Sequence, residues 1–343
     1  MAPTIPDTMD AWVVDRPGPL SQRPLHPARL PVPEPVGREL LVRIEACAVC
    51  RTDLHLAEGD LLPRRPSTVP GHEAVGRVAA WGPHARPREE GERVGIAWLR
   101  GTCGRCRYCA RGAENLCPSS RYTGWDADGG YAEYAVVDDR YAYRLPGDAD
   151  PVALAPLLCA GIIGYRALER SEPPDGARVG IYGFGASAHL AAQVAVAKGA
   201  AVHVVTRSAR ARRLAAELGC ASASPPDEGP PELLDSAVLF APAGELVPKA
   251  LESLDRGGTL AVAGIHLSDV PALNYQGHLF QERTLRSVTA NTRADGRAFL
   301  DFAIANGIRV ETERYPMSRA DEALEALAAG AVTGAAVLVP GEG

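Results

Sequence analysis

Two rhythms of apolar and polar residues divide this chain. Up to about residue 150, apolar positions come in short runs bounded by turn residues. Residues 39–47 carry Leu41, Val42, Ile44 and Ala46 in an alternating, apolar pattern that predicts a strand. Residues 74–80 and 93–98 predict two more short strands, separated by Gly82-Pro83 and Gly91-Glu92. Residues 129–137 and 141–145 complete a region that is mostly β. Ahead of them, 13–30 is interrupted by Pro17, Pro19, Pro24 and Pro27, and Pro31, Pro33 and Pro35 follow. Proline cannot donate to a strand ladder, so irregular chain or an edge strand is expected there.

The rhythm changes near Pro151. Residues 152–168 predict helices broken at Gly161 and Gly164. A short apolar strand follows at 178–182, then a glycine-rich turn and an alanine-rich helix to about Lys198, capped by Gly199-Ala200. Strand 201–205 and helix 210–218, ended by Gly219, repeat the unit. Further strands are expected at 236–240, 259–263 and 285–288. Strands alternating with helices imply a parallel sheet covered on both faces, an α/β arrangement. The chain then turns helical (298–306 and 319–329) before a strand at 335–339.

Gly183-x-Gly185-x-x-Ala188 lies between the first of these α/β strands and its helix. That context turns a weak motif into a dinucleotide fingerprint. Gly183 permits the tight turn, Gly185 lets backbone approach a pyrophosphate, and Ala188 lets helix and strand pack closely. The helix N-terminus favours the anion. An NAD site usually places an acid at the end of the second strand; here Thr206 stands in that place and Arg207 follows. Removing the acid and adding a cation suits a 2′-phosphate, so NADP is favoured, with NAD the second reading.

Eight cysteines change the picture further. Cys103, Cys106, Cys109 and Cys117 fall within fifteen residues, a spacing that lets four thiolates close around one structural zinc ion. A zinc ribbon spaces its two Cys-x-x-Cys pairs further apart. Cys50-Arg51-Thr52-Asp53-Leu54-His55 gathers five polar chemistries in six residues, with Gly71-His72-Glu73 close behind. Cys50, His72 and the distant Cys159 make a three-ligand set of the kind that binds catalytic zinc and leaves a position open. The net charge of -6 gives no reason to expect nucleic acid or an anionic membrane as partner. No apolar run reaches the length of a membrane span. The N-terminus lacks a signal peptide's basic start and apolar core, so a cytoplasmic location is expected.

The hexapeptide, Gly71-His72-Glu73, the four-cysteine lobe, Cys159 and the Gly183 turn, in this order, resemble the zinc-dependent medium-chain alcohol dehydrogenase family over nearly the whole chain. The resemblance implies a GroES-like β-rich catalytic domain (1–155 and 297–343, with the zinc lobe at about 100–118) and a Rossmann domain (156–296). It implies two zinc ions per chain, one held by Cys50, His72 and Cys159 with Glu73 adjacent. Asp53 would hold the far nitrogen of His72, Thr52 and His55 would relay a proton, and Arg51 would meet the pyrophosphate. Trp98 and Leu61 match positions that line the substrate pocket. Ile163 departs from the Thr or Val that many relatives carry there. Thr206 and Arg207 look more like the cinnamyl-alcohol and aldehyde-reductase branches. The implied substrate is a small alcohol or aldehyde, a primary one, aromatic ones included; a polyol, amino-alcohol or glutathione adduct with NAD is the alternative, and a non-catalytic cofactor-binding relative a further one. Members are usually homo-oligomers, dimers or tetramers joined through the edge of the Rossmann sheet, for which 285–289 is the candidate edge strand.

Overall fold

The structure is a computed structural model that describes residues 5–86, 89–264, 267–332 and 334–341. The chain divides into two compact units. One comprises residues 1–159, 292–297 and 310–343, the other 160–291 and 298–309.

The first unit is built on strand Glu39–Ala48. It pairs antiparallel with Ala74–Trp81, with Tyr134–Asp138 and with Ala335–Val339. The full sheet has seven strands, running outward to Arg93–Ile96 and Ala142–Arg144 on one side and to Thr312–Pro316 on the other. Leu40, Leu41 and Val42 are all buried, so both faces of this strand are covered. The proline-rich start forms a separate two-stranded pair, Thr8–Val14 with Leu25–Pro31, which places its prolines away from the central ladder.

Several expectations shift. The strand expected at 93–98 ends at Ile96, and a short second strand, Leu99–Gly101, pairs elsewhere. Of 129–137 only Tyr134–Asp138 enters the ladder from that side. Helix Arg51–Glu58 was not anticipated, because its polar, chemically loaded sequence reads as a site before it reads as a helix.

The second unit carries a six-stranded parallel sheet in the order Ser222–Ser224, Ala201–Val205, Arg178–Tyr182, Leu234–Leu239, Leu254–Val262, Thr284–Ser287. The interior strands are nearly continuous apolar runs, as a sheet covered on both faces requires. Arg178 ties three neighbouring strands at one end, reaching Asp235 at 2.6 Å and Asp255 at 3.1 Å.

Gly161 and Gly164 do not break a helix. Ala160–Arg170 runs through both. A Cβ at Gly161 would lie 2.2 Å from the Phe299 ring, and one at Gly164 would lie 2.6 Å from the Ser187 carbonyl. These glycines serve close approach, and the ring at Phe299 explains why residues 298–309, expected with the β-rich domain, cluster with this unit instead. Among the described residues, no single helix is long and apolar enough to cross a membrane.

Candidate metal centre and cofactor turn

Helix Arg51–Glu58 begins at Cys50, whose backbone is extended, and ends at Gly59 in the left-handed region. Asp53, in its first turn, accepts the Cys50 N–H at 2.9 Å. This carboxylate is buried, yet every side of it is engaged. It also accepts the Gly71 N–H at 3.1 Å and the Tyr131 hydroxyl at 3.3 Å, and it lies 3.3 Å from His72 Nδ1. Gly71 stands at φ +93°, and a Cβ there would fall 2.4 Å from the Tyr131 ring. Only glycine gives both the turn and the clearance.

With Nδ1 facing Asp53, the Nε2 of His72 points to Cys159 Sγ, 3.3 Å away. Donor atoms of Cys50, His72, Glu73 and Cys159 all lie within 4.8 Å of one another. His72 and Glu73 are buried. The charges explain what such a cluster lacks. A hydrogen bond from Cys159 holds the Cys50 thiol well below its ordinary range against the cost of burial, with His72 helping. The same bond pushes Cys159 well above it. Burial drives the Glu73 carboxyl up, and the Cys50 charge adds to it. Burial alone would lower His72, but the charges of Asp53 and Cys50 outweigh it and raise it well above a free imidazole. Burial and mutual repulsion thus oppose ionising both thiols and the carboxyl together. A divalent cation would let both sulfurs ionise and leave the imidazole neutral, so this donor set fits zinc.

Around the cluster, Thr52 Oγ1 lies 3.7 Å from Cys50 Sγ. His55 Nδ1 lies 3.0 Å from Asp60 Oδ2, and Leu61 donates its N–H to the His55 carbonyl at 2.9 Å. Arg51 is exposed. Trp98 meets His72 edge-on, ring centroids 4.9 Å apart.

The lobe that follows gathers Cys103, Cys106, Cys109 and Cys117 into a second cluster, again within 4.8 Å. The backbone N–H groups of Arg105 and Cys106 pull the Cys103 thiol down to about 6. That shift favours the thiolate, the form that binds metal. Glu114, beside Cys117, grips Arg293, accepting from Nη2 at 2.6 Å and from the backbone N–H at 2.8 Å. Arg293 also lies over the Tyr141 ring.

In the second unit, strand Arg178–Tyr182 delivers Gly183 at φ +85°, where a Cβ would lie 2.8 Å from the Ala241 backbone nitrogen. Gly185 caps helix Ala186–Ala197 and has open space where a Cβ would stand, room that a phosphate group can use. Ala188 is fully buried. The next strand ends at Val205. Thr206 is buried behind it, and Arg207 is exposed. Arg212, from the following helix, donates to the carbonyls of both Thr206 and Arg207 at 2.9 Å. It adds a cation to the same corner.

The two cysteine clusters and the glycine turn stand out in the sequence; Tyr131 and Arg212 do not. Tyr131 is marked only by the Gly129-Gly130 that precedes it, and Arg212 reaches the corner from the following helix.

A β-rich unit that concentrates thiolates and imidazole, joined in one chain to a parallel sheet with a dinucleotide turn, defines a zinc-dependent, nicotinamide-linked dehydrogenase. Comparisons with known proteins agree. The alcohol dehydrogenase GroES-like domain matches residues 37–147, and the zinc-binding dehydrogenase domain matches 188–305. The probable alcohol dehydrogenase AdhA of Mycobacterium tuberculosis is 59% identical over 344 residues, 99% of each chain. Among solved structures, cinnamyl alcohol dehydrogenase of Sorghum bicolor superposes with a TM-score of 0.85 at 26% identity, covering 97% of each chain. A protein of Sinorhizobium meliloti 1021, described as a zinc-binding dehydrogenase and bound to NADP, gives 0.86 at 28% identity, covering 98% of this chain and all of its own. The chain belongs to the zinc-dependent medium-chain dehydrogenase/reductase family and is an NAD(P)-linked alcohol dehydrogenase-like enzyme that transfers hydride.

Proposed function

We propose that this enzyme interconverts primary alcohols and aldehydes, aromatic ones among them, using NADP(H), in the manner of the cinnamyl-alcohol and aldehyde-reductase branch. The observation that carries the reading is the convergence of Cys50, His72, Glu73 and Cys159, with His72 held from behind by Asp53. Cys50, His72 and Cys159 would hold the catalytic zinc, and Cys103, Cys106, Cys109 and Cys117 a structural one. When bound, the catalytic zinc supplies a Lewis acid for the substrate oxygen, and the nicotinamide gives or takes the hydride.

The chain's own groups do the rest. Asp53 fixes the His72 ring so that Nε2 is the metal-facing nitrogen. Glu73, buried among the donors, is the carboxylate that would stand beside the metal when water or substrate exchanges. Oxidation of an alcohol releases a proton, and Thr52 starts its route to solvent beside Cys50. His55 finishes it, its Nδ1 facing Asp60. An imidazole can take a proton on one ring nitrogen and give one up from the other, which suits that role. Arg51 is assigned to the cofactor pyrophosphate. Trp98 and Leu61 line the substrate side.

For the cofactor, Gly183, Gly185 and Ala188 receive the pyrophosphate. The missing acid at Thr206, with Arg207 and Arg212 beside it, supports a 2′-phosphate. Among the described residues Thr284–Ser287 is the last strand of its sheet, which supports a homo-oligomer joined there. Rates of NADPH and NADH oxidation by zinc-replete enzyme with an aromatic aldehyde test the reading. Faster turnover with NADPH is expected. A preference for NADH would refute the cofactor assignment, and zinc-free protein with full activity would refute the metal centre.

A further inference from the structure

Next to the Cys50–His72–Cys159 cluster stands a stack of aromatic rings, of which the reaction outlined above uses only Trp98. Trp98 lies nearly parallel to Tyr122, centroids 4.8 Å apart and planes 20° apart. It is also nearly parallel to Trp125, at 6.0 Å and 10°. Tyr122 and Trp125 lie 5.9 Å apart. Trp98 is the member that touches His72. Trp125 is the member that carries the loop after helix Arg51–Glu58. Its indole N–H donates to the Leu62 carbonyl at 2.8 Å, and the Arg64 guanidinium lies 3.6 Å from its ring centroid. Arg64 also donates to Asp126 at 2.9 Å. One residue on, Arg65 reaches Asp128 at 2.7 Å, and Asp128 accepts the Val69 N–H at 3.0 Å.

The loop therefore hangs from residues 125–128, by a hydrogen bond and a cation over the ring at Trp125 and by ion pairs to Asp126 and Asp128. It is the loop that bears Leu61 and Leu62. Leu61 is half-buried, and Leu62 is 75% exposed despite being apolar. A loop with an exposed leucine at its tip is pinned in place by groups whose removal would let it swing. Flat rings select flat partners, because offset stacking rewards a planar π-system and gives an aliphatic chain only ordinary contact.

We propose that Trp125 and Arg64 are specificity-determining residues: by fixing the 61–66 loop beside the Trp98 stack they favour alcohols and aldehydes that carry a planar conjugated group over small aliphatic ones. The inference rests on the proposed reading of the His72 cluster as the reacting centre. Neither residue touches the reacting atoms. They act by holding Leu61, Leu62 and Trp98 where the substrate's distal end lies.

The test compares wild-type enzyme with Trp125→Leu, Trp125→Phe and Arg64→Met. Each is loaded with zinc and assayed with cinnamaldehyde and with butanal, alongside zinc content and melting temperature. The ratio of kcat/KM values, cinnamaldehyde over butanal, falls by about threefold to tenfold in Trp125→Leu and Arg64→Met, mainly through KM. Trp125→Phe keeps most of the ratio. Equal losses for both aldehydes, tracking melting temperature, would mean that the clamp only stabilises the fold and would overturn the proposal. Equilibrium binding of cinnamyl alcohol, followed by tryptophan fluorescence, asks the same question without turnover. Weaker binding in Trp125→Leu supports the clamp. Unchanged binding overturns it. Absence of turnover in a wild-type enzyme that binds cinnamyl alcohol would count against the proposed reaction and not against the clamp.

Discussion

Asp53 is one carboxylate on which four groups depend. It holds the start of a helix, the Gly71 turn, the Tyr131 hydroxyl and the far nitrogen of His72. Asparagine at this position keeps the shape but loses the charge and presents an amide where an acceptor is needed. Asp53→Asn weakens zinc binding by about 10- to 100-fold, measured by competition with a chromogenic chelator, with turnover falling in step. Unchanged zinc affinity would show that His72 does not depend on this partner. Arg207 is proposed to act at the other end of the chemistry, on the cofactor. Arg207→Ala raises the KM for NADPH by roughly tenfold while leaving that for NADH within about twofold, since a single charged hydrogen bond to phosphate is lost. Equal effects on the two cofactors would place the 2′-phosphate elsewhere.

At the scale of elements, the four-cysteine lobe is anchored by an ion pair. Burial works against the charge of Glu114, but hydrogen bonds from the Arg293 side chain and backbone outweigh it and hold the carboxyl below its usual range. A carboxyl lowered in the folded state stabilises the protein above its unfolded pKa of about 4.3 and stops doing so as pH falls through the lower folded value. Glu114→Gln therefore melts earlier at pH 7, by an amount on the order of 1–3 kcal/mol. The gap between variant and wild type closes below about pH 4. A gap that persists in acid would mean that shape, not charge, holds the lobe. The elements also show what a sequence can tell a reader. Strand 39–47, the α/β alternation and the helix after Gly185 were legible because apolar period and glycine placement are local. Helix Arg51–Glu58 was not, because its residues were selected by ligand chemistry. Gly161 was misread because the reason for it, the ring of Phe299, lies far along the chain. The four-cysteine cluster was legible from spacing and residue type; Cys50, His72 and Cys159 became a ligand set only in company with that lobe and the glycine turn. The aromatic clamp was not legible, since Arg64 and Trp125 meet only through folding.

For the molecule as a whole, the proposed zinc ions would be part of its stability. Two zinc ions per chain are expected by elemental analysis. Prolonged chelation takes turnover to zero and lowers the melting temperature, since ions bound only by the folded chain stabilise it by mass action. A chelated protein that melts at the unchanged temperature would show that the four-cysteine lobe needs no ion.

The strand that ends the described chain, Ala335–Val339, pairs with Glu39–Ala48, and Val49 donates its N–H to the Ala336 carbonyl at 2.9 Å, one residue ahead of Cys50. Nearly 300 residues separate the two partners. A ribosome delivers about 5–20 residues each second. The first strand therefore waits at least some fifteen seconds for its neighbour. The α/β unit, contained between residues 160 and 309, is available in full before that neighbour emerges. The unit begun first is thus finished last. In the interval, Cys50 and His72 are already in the cell while the edge that frames them is open. Nascent chains halted before residue 335 would carry a protease-resistant α/β core attached to a metal site still under construction.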